Sequence, residues 1–112
     1  MAFLTGVAAT AFGKHPGSDA PSLMETAARA AIADAGLPRE AVDGLVCGYA
    51  TTFPHLMTAT VMVERLGLTP RHAHQAAVGG ATGAVGLLLA RHLIAAGACR
   101  HVLVLGGENR LT

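Results

Sequence analysis

Four glycines fall within the twelve residues 75–86, QAAVGGATGAVG: Gly79, Gly80, Gly83 and Gly86. Glycines ahead of a helix are the usual sign of a phosphate cradle, because the first helical N–H groups point at the anion. A dinucleotide-binding turn reads G-x-G-x-x-G after a strand dense in Val and Ile, with an acidic residue beyond the next strand. Glu108 stands in roughly that acidic place, but the spacing here is G-G-x-x-G-x-x-G. The segment ahead of it carries His72, His74 and Gln75 instead of branched apolar residues. A Walker turn needs G-K-[ST], and the chain's one lysine is the distant Lys14. The other reading is that small residues let a helix and its neighbours approach closely.

Other candidates are sparse. On a strand His72 and His74 share a face, but two imidazoles fall short of the three or four ligands of a zinc site. They read as polar positions on an edge or interface strand. Cys47 and Cys99 are far apart and form no CxxC pair. Cys47 lies in an apolar strand and Cys99 after a helix C-terminus, where a thiolate is disfavoured, so both read as packing residues. Thr82 opens a helix; a hydroxyl without a nearby base is a cap and not a nucleophile.

The 112 residues allow one domain. Charged residues make up 13% and hydrophobic ones 52% of the chain, against about 25% charged in ordinary soluble domains. So few charges imply surface hidden against a partner subunit or a further part of the polypeptide. Eight basic and seven acidic residues give a net charge of +1, with no Trp and no basic cluster. Nucleic acid is therefore not an expected partner. The apolar run Ala76–Ala90 is fifteen residues long, short of the about 20 that span a bilayer. The apolar start has no positive charge before Lys14, unlike a secretory leader. A cytoplasmic protein, not a membrane one, is expected.

The elements that must position these residues alternate. Residues 3–12 read as a first strand. Ser22 and Glu25 form a capping box for a helix with Met24, Ala27, Ala28, Ala31 and Ala35 on one face, stopped by Gly36 and Pro38. Residues 43–50 read as a buried strand. Residues 55–66 read as a second helix with Leu56, Ala59, Val63 and Leu66 on its apolar side. Residues 71–78 read as a third strand, 81–96 as a third helix and 101–106 as a fourth strand. Alternation with crossovers of this length predicts an α/β fold with a mostly parallel sheet of about four strands. The third helix is apolar almost all round, which predicts burial on every side.

In order and spacing, three segments resemble the N-terminal part of the thiolase superfamily, nearest to the sterol-carrier-protein-type thiolases. They are GVAATAFGKHPG, SLMETAARAAIADAGLPREAVDGLVCGYA and GGATGAVGLLLARHLIAAGACRHVLVLGGE. The resemblance implies a layered fold of two similar halves with sandwiched helices. Residues 1–112 would form one incomplete N-terminal domain. It implies a CoA thioester substrate, no cofactor and no metal, within lipid metabolism. It also implies self-association through residues 72–78, as a homodimer or hetero-oligomer. The family's nucleophilic cysteine falls at Gly80, so no acyl-enzyme is expected there and no catalytic residue is assigned. Gly80, Thr82 and Gly83 are the expected substrate-binding residues. Acyl transfer or retro-aldol carbon–carbon chemistry is expected of the complete protein. The alternatives are a non-catalytic partner subunit of a thiolase-like complex and, behind it, a dinucleotide-binding module.

Overall fold

The computed structural model describes residues 2–110. Among them, three parallel strands form one sheet in the order β2-β1-β3: β1 is Gly44–Gly48, β2 His72–Ala76 and β3 Val102–Leu105. Helices α1 (Ala20–Asp34), α2 (Thr58–Leu66) and α3 (Thr82–Ala95) lie between and before them. The chain moves from β1 outward to β2, then back across β1 to β3. Crossovers of one hand running in opposite directions place their helices on opposite faces of the sheet. Accordingly α1 and α2 cover the face carrying Leu45, Cys47, Leu103 and Leu105. On the other face, α3 lies over Val46 and Val104.

The central strand is buried at every residue, which is why Leu-Val-Cys runs without polar alternation. Asp43, just ahead of it, ties all three strand starts together. Its carbonyl accepts from the backbone N–H of Arg71 at 2.7 Å, and its own N–H donates to the His101 carbonyl at 3.1 Å. Its carboxylate accepts from the N–H groups of Arg100 and His101 at 3.0 and 2.9 Å. Burial pushes the Asp43 pKa up, but the His101 and Arg100 donors outweigh it and hold the group below its usual value.

Several expectations are corrected. Residues 3–12 form no strand. A strand needs a ladder, and this segment lies against α1 instead of a sheet edge: Val7 N–H donates to Asp34 Oδ2 at 2.9 Å, and a Cβ on Gly6 would meet Ala35 N at 2.8 Å. Phe3, Leu4, Val7 and Phe12 stay exposed. The cap of α1 is Asp19, not Ser22; its Oδ1 accepts from Ser22 N–H at 2.9 Å, and Pro21 follows inside the first turn. Glu25 pairs with Arg29 and reaches across to Arg65 on α2, whose guanidinium also holds Ser22 Oγ. Helix α1 stops as expected before Gly36, at φ +70°. Helix α2 begins at Thr58, so Leu56 lies ahead of it and is exposed.

The third helix is the largest surprise. Only Gly86 and Ala90, one stripe at i,i+4, are buried. Leu87 and Leu88 are 52% and 50% exposed, because none of the described residues supplies a layer over them. The small stripe is what the sheet contact demands. A Cβ on Gly86 would stand 2.8 Å from Val104 Cγ1, and valine is stiff at χ1 and cannot turn away.

Gly86→Ala therefore sets a helix-propensity gain of up to about 1 kcal/mol against an overpacking cost of about 1–3 kcal/mol. It should lower stability. Gly83→Ala, whose Cβ meets nothing within 4 Å, should leave stability unchanged or raise it slightly. Urea denaturation of the two variants checks the opposite signs.

Candidate functional site

Strand β2 ends at Ala76, and residues 79–81 make one turn of 3-10 helix before α3. Gly79 has φ +58°, a left-handed conformation in which glycine carries no steric penalty. Thr82 closes the turn: its hydroxyl donates to the Gly79 carbonyl at 2.7 Å and accepts from Val78 N–H at 3.0 Å. Its methyl presses on the end of β1, where a Cβ on Gly48 would lie 3.2 Å from Thr82 Cγ2. Thr82 is thus a structural clasp, and Gly48 makes room for it.

Gly80 differs from these neighbours. Its φ lies outside the left-handed region, it is exposed, and a Cβ there meets nothing within 4 Å. Neither backbone nor packing demands glycine at this position. The turn stands at the N-terminus of a fourteen-residue helix, at the positive end of its dipole, and the N–H groups of Ala81 and Thr82 there already donate to the Val78 and Gly79 carbonyls. A carbonyl oxygen or developing oxyanion placed there would be stabilised.

The turn opens on a cavity of about 890 Å³ between residues 2–8 and α3, lined by Tyr49, Gly79, Thr82, Gly83, Leu87 and Arg91 among others. Glu108 and Arg110 also line it. Glu108 is fully engaged. One carboxylate oxygen accepts from Thr51 N–H and hydroxyl, both at 2.7 Å, and the other from Thr52 N–H at 2.9 Å and from the Thr52 hydroxyl. Burial pushes its pKa up, yet the Thr52 and Thr51 donors win and hold it at about 2. A carboxylate committed in this way does not serve a ribose, which removes one support of the dinucleotide reading. The clamp was invisible in the sequence: Thr51-Thr52 and Glu108 are joined only by the fold.

Both thiols are packing residues, as expected. Burial pushes Cys47 up to about 12. Burial first, and then the Asp43 charge, raises Cys99. His72 and His74 stack on β2 with centroids 5.9 Å apart, and no group of three or more metal-ligating side chains occurs among the described residues. No helix is long and apolar enough to cross a membrane among those residues.

The architecture is that of the thiolase fold. An acetyl-CoA acetyltransferase from Syntrophomonas wolfei superposes with a TM-score of 0.78 at 24% identity, over 90% of this chain and 27% of that one. No family model matches the chain. By sequence, it is 43% identical over 98 residues to a beta-ketoacyl-[acyl-carrier-protein] synthase III from Rhodospirillum centenum, covering 83% of this chain and 29% of that protein. It is 36% identical over 111 residues to human sterol carrier protein 2, covering 96% of this chain and 20% of that protein. These homologues support its membership of the thiolase superfamily, of whose curated relatives it spans less than a third.

Gly80→Cys should fold with an unchanged circular dichroism spectrum, and the introduced thiol should alkylate with iodoacetamide while Cys47 and Cys99 stay protected. An unfolded variant would refute the open geometry at Gly80. For Glu108, the folded pKa lies below the unfolded one, so its contribution is complete above about pH 5 and fades as pH falls toward 2. Allowing for its partial exposure, Glu108→Gln should cost on the order of 1–2 kcal/mol at pH 7. The gap from wild type should narrow in acid, read as urea midpoints at pH 7 and pH 3.

Proposed function

We propose that this chain is the nucleophile-turn portion of a thiolase-like protein that handles acyl-CoA thioesters without a covalent intermediate. The observation that carries this reading is Gly80. It occupies the position that the family resemblance assigns to the nucleophilic cysteine, in a turn that retains its helix N-terminus and open space. On this reading the N–H groups of Gly80 and Gly83 orient the thioester carbonyl, those of Ala81 and Thr82 being committed to the Val78 and Gly79 carbonyls, and Thr82 holds the turn in shape. In the complete protein the chemistry is acyl transfer or cleavage of a carbon–carbon bond next to the thioester. In cleavage of a β-hydroxyacyl thioester, a base in the complete protein takes the β-hydroxyl proton, that carbon leaves as a carbonyl, and the electron pair of the broken bond is drawn onto the thioester oxygen as an enolate, where preorganised N–H donors stabilise it until the α-carbon is protonated. The names of the synthase and acetyltransferase relatives favour this class. The protein is read as cytoplasmic, needing no cofactor, and pairing with a second subunit through residues 72–78.

A second reading is favoured by the exposed Leu87, Leu88 and Leu89 of α3. A chain with such a face serves equally as a non-catalytic subunit covered by a thiolase-like partner. Co-purification of a stable hetero-complex with the 112-residue chain would favour the subunit.

Thr82→Val keeps the methyl against Gly48 and removes both hydroxyl hydrogen bonds. In the full-length protein it should lower acyl-CoA turnover by about 10-fold or more, short of the about 10²–10³ of losing an oxyanion donor itself, because Thr82 shapes the turn and donates nothing to the substrate. Unchanged acyl-CoA binding and turnover in Thr82→Val and Gly83→Ala together would rule the reading out.

A further inference from the structure

The neighbours β1 and β2 send their connections to opposite sides of the sheet. From β1 the chain passes to α2 over one face, and from β2 to α3 over the other. In open parallel sheets a crevice forms outside the carboxyl ends of such a pair, and ligands bind there. Here those ends are Gly48 and Ala76, partners in the ladder. One lip of the crevice is the Gly79–Gly83 turn with its Thr82 clasp. The other is the segment 49–53 that follows β1. The lips meet where the Thr82 methyl sits against Gly48. Topology thus leads to the same turn as Gly80 does, without any glycine motif.

The lip after β1 is braced from the far strand. Phe53 N–H donates to the Ala50 carbonyl at 3.2 Å, so Thr51 and Thr52 form the tip of a tight turn. Glu108, carried by the segment after β3, accepts from the N–H group and the hydroxyl of both threonines. The hydroxyl oxygens accept in their turn: Thr51 Oγ1 from Arg110 Nε at 3.0 Å, and Thr52 Oγ1 from Asn109 N–H at 3.3 Å. Asn109 Nδ2 carries the network on to the Ser18 carbonyl at 2.8 Å. Each threonine hydroxyl both donates and accepts, which makes the cluster a brace and not a ligand-binding group. Ala50, between the tip and Gly48, is buried. A shift of the tip therefore passes along a closely packed chain to Gly48 and on to the Thr82 methyl. We propose that Glu108 is a positioning residue for the crevice: by fixing Thr51 and Thr52 it sets the end of β1 against Thr82, and so the shape of the Gly79–Gly83 turn. The proposal rests on the reading of that turn as the functional site, and adds the residue that holds it from across the sheet.

The test uses the thiol introduced by Gly80→Cys as a reporter in the full-length protein. Its rate of alkylation by iodoacetamide, followed across pH by peptide mass spectrometry, gives the pH at which the thiolate forms, because the thiolate is the reacting species. Adding Glu108→Gln should raise that midpoint by about 0.3–0.7 of a pH unit, the scale on which a helix N-terminus acts on a charge. Loss of the carboxylate charge alone would lower it, because removing a nearby anion favours the thiolate. Thr52→Val keeps the carboxylate, removes one of its donors, and should raise the midpoint by a smaller amount. It is close in volume to threonine, so the test stands even where Glu108→Gln fails to fold. Arg65→Ala breaks the α1–α2 bridge to Glu25, away from the crevice, and should leave the midpoint unchanged. A midpoint that stays or falls in both Glu108→Gln and Thr52→Val would overturn the proposal, as would an equal rise in Arg65→Ala. Acetyl-CoA binding by the wild-type protein, measured by calorimetry, tests the thioester reading separately, since the reporter needs no thioester.

Discussion

The sheet depends on Asp43. Its main-chain groups reach the residues leading into both neighbouring strands, and its carboxylate caps the turn before β3. These bonds fix the register in which Gly44 stands beside His72 on one side and Val102 on the other. Register decides everything above it, because a slip of one residue in β1 exchanges the faces of the strand. Leu45 and Cys47 would turn toward α3, and Val46 and Gly48 toward α1 and α2. The apolar core would lose its central members, and Thr82 would lose the space that Gly48 provides.

Two kinds of glycine meet in the region that matters. Gly48 and Gly86 are small because neighbours crowd them: the Thr82 methyl at one and Val104 at the other. Gly79 is glycine because of its backbone. Gly80 answers to neither constraint. A sequence motif treats these residues as equivalent punctuation, whereas the structure separates those that support the fold from two, Gly80 and Gly83, that the fold does not explain. That separation gives the functional reading its footing at Gly80.

Much of the architecture was legible because it is written in local patterns. The buried run Leu45-Val46-Cys47, the helix stops at Gly36 and Gly67, and the turn into α3 all appear where propensity and spacing put them. Residues 3–12 read as a strand because the run Val7-Ala8-Ala9-Thr10-Ala11 suits one, while strand formation depends on ladder pairing that no local pattern reports, and this segment bonds to α1 instead. The cap of α1 was misplaced by one turn because Asp19 and Ser22 are both good caps, and Pro21 settles the choice in favour of Asp19. Helix α3 was rightly read as apolar all round, but apolarity does not say whether the covering layer is present. The Glu108 clamp on Thr51 and Thr52 joins residues more than fifty positions apart, and no pattern within one element could show it.

The position of β1 at the centre of the sheet also governs the order in which the chain can assemble. Its first neighbour, β2, follows across one helix, but its other edge waits for residues 102–105. As the chain leaves the ribosome, the most buried strand must remain half-paired until residues 102–105 emerge. Early α1–α2 contacts around Glu25 and Arg65 can shield one face of β1 in that interval. They leave its open edge, and the valine face meant for α3, as the parts most at risk of pairing with the wrong chain.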